Sequence, residues 1–127
     1  MLKEDYCSYE VAKLLKEKGF NEPIRCWYDN FQDFHEEGVR MSNTDCLPPT
    51  IMCPTHQMAM KWLREVHKVL IVIDAYHADH WEGYIDSFEI SIYSHASTII
   101  VPNEIIHHTD YIEAIEAALK FCLENLI

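Results

Sequence analysis

The sequence predicts an α+β domain, an antiparallel sheet of three to four strands with three helices packed on it. Three observations carry that reading. Two segments, SYEVAKLLKEKG and THQMAMKWLREVH, place apolar residues at helical spacing behind a capping hydroxyl. A third, from Asp110 onward, repeats apolar residues three and four apart to the last residues. Between the second and third lie VLIVIDAY, YIDSFEISIYS and STIIV, runs rich in β-formers that follow one another without an intervening helical pattern.

In the first helix Val11, Ala12, Leu14 and Leu15 form the apolar stripe, the Ser8 hydroxyl accepts from first-turn amides, and Gly19 with Phe20 marks the stop. Pro23 leads into IRCWYD, and a strand near Ile24–Asp29 is expected as the fourth of the sheet. From Asn30 to Pro54, Gly38, the SNTD cluster and Pro48-Pro49 break every period, so a loop with one short strand at Val39–Met41 is expected. The second helix follows Thr55 with the stripe Met58, Ala59, Trp62, Leu63 and Val66. Strands are expected at Val69–Tyr76, Tyr84–Ser94 and Ser97–Val101. Asp110 and Glu113 form a capping box for the last helix, whose stripe is Ile112, Ile115, Leu119, Cys122 and Leu126. Few polar residues interrupt Val69–Ile73, so that strand is expected to be buried on both faces, under the second and third helices on one side and the first helix or a symmetry mate on the other. SYEVAKLL and THQMAMKW share a hydroxyl, then apolar residues at matching offsets, but capped amphipathic helices tend to match in this way and no duplication is inferred.

Residues 1–127 fit one domain, with helix plus strand over 8–29, a loop-rich part over 30–54, and helix, three strands and helix over 55–127. Ten Lys and Arg against 21 Asp and Glu give a net charge of −11, the wrong sign for displacing counterions from nucleic-acid phosphates. Direct nucleic-acid binding is therefore disfavoured. The five cysteines, Cys7, Cys26, Cys46, Cys53 and Cys122, are odd in number and form no C-x-x-C pair, and MLKEDYCSYE lacks the apolar run of a signal peptide. Free thiols in a reducing bacterial cytoplasm, with no cofactor, are expected. The apolar runs VLIVI and STIIV fall far short of the about 20 residues of a membrane span.

The densest cluster of chemistry-bearing side chains is DAYHADHWEG, from Asp74 to Gly83. Pairing Ile73 with Phe88, Ile71 with Ile90 and Val69 with Ile92 makes one uniformly apolar face and closes a hairpin over Asp79–Glu82. His77 then lies on the strand and His80 at the tip. His77, Asp79, His80 and Glu82 are candidate metal ligands, yet a structural zinc site wants four converging ligands, usually with Cys, so a polar turn is the expected reading. Trp81, at the same tip, is the candidate binding residue. Cys46, Cys53 and His56 give C-x6-C-x2-H, which departs from zinc-module spacings and reads as a prolyl loop with ordinary thiols. His107 and His108 read as loop residues ahead of the last helix. G-x-S-x-G, H-E-x-x-H, Walker and Rossmann patterns are missing, and three glycines are few for a phosphate cradle, so no catalysis is expected.

DYCSYEVAKLLKEKGF, PTHQMAMKWLREVHKVLIVI and DYIEAIEAALKFCLENLI resemble a group of small uncharacterised proteins from phages and prophages of gut Bacteroides-like bacteria. That group shares a Pro-Thr before a Lys-Trp-Leu-Arg-Glu helix, a strand pair with a variable turn and a Glu-Ala-rich final helix. The resemblance implies a fold and a genomic setting but no activity, and the variable turn weighs against a metal site at Asp79–Glu82. The order helix, three strands, helix is also similar to double-stranded-RNA-binding domains, but Asp110, Glu113 and Glu116 stand where those present Lys. The closing EAIEAALKFCLENL is similar to HicB-type antitoxins, whose Pro-Asp-Leu-Pro-Gly segment is missing here. The expected function is that of a non-catalytic interaction domain that binds another protein or a second copy, its acidity steering a basic partner. The alternatives are an acidic nucleic-acid mimic or antitoxin-like neutralising protein, which needs carboxylates at phosphate-like intervals on one face, and a metal-binding protein acting through the His77–His80 hairpin.

Overall fold

The structure, a computed structural model, describes residues 2–36, 38–76, 87–95 and 97–127. Its elements are α1 (Tyr9–Glu17), β1 (Trp27–Tyr28), β2 (Phe34–His35), β3 (Ile51–Met52), α2 (His56–Val66), β4 (Val69–Tyr76), β5 (Ser87–Ser94), β6 (Ser97–Ile99), α3 (Asn103–Ile106), β7 (His107–His108) and α4 (Tyr111–Asn125). The fold is α+β, with helices packed on antiparallel sheets, as the sequence predicts. The three long helices begin where capping chemistry places them. Ser8 Oγ accepts from Val11 N–H at 3.2 Å, Thr55 Oγ1 from Met58 N–H at 3.1 Å, and Asp110 Oδ2 from Glu113 N–H at 3.3 Å.

The strands form two sheets instead of one. β1 lies between β2 and β3, so the strand expected at Ile24–Asp29 shrinks to two residues and leaves the main sheet. Its partners come from the segment expected to be loop, and the strand expected at Val39–Met41 reduces to a bridge between Ile24 and Met41. In the main sheet β5 is central, with β4 on one side and both β6 and β7 on the other. His107 and His108 are therefore strand, not loop. The β4–β5 register pairs Ile73 with Ile90, Ile71 with Ile92 and Val69 with Ser94, two residues away from the expected one. Ile71 and Ile73 have apolar partners in both registers, whereas Val69 faces Ser94 in the observed one. This one also sets Phe88 between Ala75 and His108, with its ring edge-on to Tyr111 at 5.4 Å, and Ile92 against Ile99.

α4 lies at the centre of the core, burying Ala114, Ile115, Ala118, Leu119, Cys122 and Leu123. It packs on β4 and β5 through one side and on α1 through another, so α1 covers α4 and β3 rather than the second face of the main sheet. β4 is accordingly not buried on both faces. Val69, Ile71 and Ile73 join the core, whereas Leu70 on the opposite face is 40% exposed, with Val72 and Tyr93 beside it. α2 is rotated from its expected stripe: Met58 and Val66 are exposed, and His56 is buried with Ala59, Trp62 and Leu63. All five cysteines are buried free thiols. Among the described residues, no helix is long and apolar enough to cross a membrane.

Candidate functional site

The segments leading into α1 and α2 run antiparallel, with Tyr6 bridged to Thr55. Cys7 N–H donates to the Pro54 carbonyl at 3.0 Å, and His56 N–H donates to the Asp5 carbonyl at 2.9 Å. Two helix starts are thereby clamped side by side, with Cys7 just ahead of one cap and His56 the first residue after the other. Glu116, from α4, reaches both. Its Oε2 accepts from His56 Nε2 at 2.7 Å and from Ser8 N–H at 3.1 Å. A carboxylate suits this place because helix N-termini present unpaired amides and positive dipole ends. Burial pushes the Glu116 carboxyl up, but the bonds from His56 and Ser8 outweigh it and hold the group below its ordinary 4.5.

With the carboxylate ionised, a neutral His56 ring carries its proton on Nε2 and leaves a lone pair on Nδ1. Among the described residues that atom is buried without a hydrogen-bond partner, in a side chain only 2% exposed. The Cys7 sulfur is fully buried and, among the described residues, its one hydrogen-bond contact is a long one, 3.9 Å, to the Thr55 carbonyl. Ligand atoms of Cys7, His56 and Glu116 all lie within 4.8 Å of one another. Burial, with Cys53 and Glu116 adding to it, pushes the Cys7 thiol well above its usual range. Such a thiol is no nucleophile as it stands. A hollow of about 260 Å³, lined by Asp5, His56, Gln57, Tyr111 and Ile115 among others, opens onto the histidine.

A second feature is the outer edge of β4. Among the described residues this eight-residue strand pairs with β5 alone. A third is an apolar hollow of about 480 Å³ bounded by Trp27, Val39, Met41, Leu47 and Met52 among others.

The candidates His77, Asp79, His80, Trp81 and Glu82 lie outside the described residues. The Cys46, Cys53 and His56 trio does not converge. The Cys46 thiol donates to the Asn43 and Thr50 carbonyls and the Cys53 thiol to that of Cys7, leaving His56 to the cluster with Cys7 and Glu116. Sequence reasoning missed both of those partners, since Glu116 stands 60 positions from His56. One signal was present: the shared pattern of SYEVAKLL and THQMAMKW marks the two helix starts that the fold sets together. No protein-family model, curated protein or solved structure matches the chain.

Proposed function

We propose that the chain is a non-catalytic protein-interaction domain of phage or prophage setting that works through the outer edge of β4, and that the partner this edge fits is a second copy. One observation carries the reading: β4 offers VLIVI, five apolar residues without a charge or proline, on a strand paired along one side only among the described residues. In such a strand every second residue turns its N–H and C=O away from its neighbour, which makes an uncapped edge a template for pairing. Sheet edges are normally blunted by lysines, prolines or bulges.

Self-pairing is favoured by the order of the residues. Two antiparallel β4 strands centred on Ile71 set Val69 against Ile73 and Leu70 against Val72, so each face of the junction is apolar. The same register sets Lys68, just before the strand, against Asp74, placing an opposite-charge pair at both ends. A register centred on Val72 instead sets Leu70 against Asp74, a poorer match. The setting rests on the resemblance of the three quoted segments to phage and prophage proteins.

Sedimentation equilibrium tests the reading. The wild-type chain is expected to sediment as a concentration-dependent dimer, and Val72→Lys, on the half-buried outer face, as a folded monomer. A wild-type chain that stays monomeric up to high micromolar concentration, or a Val72→Lys dimer of unchanged affinity, contradicts it.

A further inference from the structure

We propose that Cys7 and His56 bind a divalent transition ion of the zinc class, with Glu116 as the carboxylate that completes the site. The site stands on different residues from the β4 edge and does not depend on it.

The donor set selects the ion. Thiolate and imidazole exclude the hard cations, which take oxygen ligands, and the carboxylate oxygen weighs against Cu(I) in favour of Zn²⁺ or its analogue Co²⁺. Binding releases the thiol proton to solvent as sulfur donates to the metal, so the bound site holds one thiolate, one neutral imidazole, one carboxylate and M²⁺, with no net charge. Neutrality matters where Cys7 is fully buried and His56 is 2% exposed. The orphaned Nδ1 of His56 supplies a ready lone pair. Two ligands of one tetrahedral zinc stand about 3.5 Å apart, so atoms now within 4.8 Å close by about 1 Å. The hollow lined by His56, though not by Cys7 or Glu116, opens the imidazole side of the site toward solvent.

Two seats use these residues. An ion on Nδ1 leaves the 2.7 Å bond from Nε2–H to Glu116 in place, the carboxylate–histidine–metal arrangement in which the carboxylate orients the ring. An ion on Nε2 requires the ring proton to move to Nδ1, which keeps the imidazole neutral, and takes Glu116 as a direct ligand.

The test titrates the full-length, reduced, chelator-treated protein with Co²⁺ and then displaces it with Zn²⁺. One Co²⁺ per chain, with a thiolate-to-cobalt charge-transfer band that Zn²⁺ bleaches, is the expected result. Cys7→Ser loses the band and His56→Gln weakens binding at least tenfold, whereas Cys46→Ser and Cys122→Ser keep both. Glu116→Gln separates the seats: a ten- to hundredfold weakening marks Nδ1, and complete loss marks Nε2. Because Cys7 is a core residue, X-ray absorption of the zinc-loaded wild type gives a second readout, with one sulfur expected in the ligand shell. No saturable binding at one equivalent, a band that survives Cys7→Ser, an affinity unchanged in His56→Gln or Glu116→Gln, or a sulfur-free shell overturns the proposal.

Discussion

Replacing Glu116 by alanine removes the one carboxylate that the starts of α1 and α2 share. Two hydrogen bonds are lost, from His56 Nε2 at 2.7 Å and from Ser8 N–H at 3.1 Å. Bonds to a charged acceptor contribute about 1.5–3 kcal/mol each. The Glu116 side chain is 23% exposed, so water recovers part of the loss on the Ser8 side. It recovers little at His56, whose side chain is 2% exposed and whose second nitrogen is already orphaned. The expected cost is about 3 kcal/mol for Glu116→Ala, and about 1–2 kcal/mol for Glu116→Gln, which keeps an acceptor oxygen but not the charge. With a urea slope of about 2 kcal/mol/M, the alanine variant unfolds about 1.5 M earlier. Urea denaturation with chelator present reads this directly. In a double-mutant cycle with His56→Leu the two changes should couple by at least about 1 kcal/mol. A cost below about 1 kcal/mol for Glu116→Ala, or additivity within about 0.5 kcal/mol, refutes the reasoning.

The folded Glu116 carboxyl is held below its unfolded value of 4.5, so its stabilisation is complete above pH 4.5 and is lost as pH falls through the lower, folded value. The gap in stability between wild type and Glu116→Gln should therefore narrow on acidification through that range; a gap constant with pH counts against it. At the β4 edge, Asp74→Lys turns two attractive pairs of the dimer into repulsive ones. This weakens association by about 1–3 kcal/mol, or roughly five- to 150-fold, and Lys68→Asp restores it in the double variant. Lys68 has φ +60°, a conformation Asp tolerates well, and failure of the swap to rescue would exclude this register. A Cβ on Gly38 would lie 2.7 Å from Trp27 Nε1 and 2.8 Å from the Arg25 carbonyl oxygen, closer than real contacts allow. Gly38→Ala should cost about 1–3 kcal/mol in urea denaturation, and an unchanged midpoint would show that Trp27 gives way freely.

What the sequence made legible was local. Ser8, Thr55 and Asp110 cap helices because a short oxygen and a free amide a few residues away suffice, and both are written in adjacent positions. The β4–β5 register was not legible, because Phe88, Ile90 and Ile92 are interchangeable as apolar partners. The choice among them depends on β6, β7 and Tyr111, which meet β5 only in the folded chain. β1, β2 and β3 have two residues each, too few to show a period. His56 read only as the end of the C-x6-C-x2-H pattern, whereas in the fold its ring bonds a carboxylate on another helix. The candidate site as a whole is a product of packing: Cys7 and His56 are brought together by the Tyr6–Thr55 bridge, and Glu116 by the docking of α4 on α1.

The self-pairing of β4 about Ile71 makes a geometric demand that one covalent measurement reads. In antiparallel strands directly opposed residues have Cα atoms about 4.5–5.5 Å apart, inside the range a disulfide spans. Ile71 is the residue that meets itself across the two-fold axis, whereas Leu70 meets Val72. Under mild oxidation without denaturant, Ile71→Cys should form a disulfide-linked dimer in high yield and Leu70→Cys should not, with the buried native thiols left reduced. An Ile71→Cys chain that stays monomeric, or one that cross-links no better than Leu70→Cys, contradicts the proposed interface.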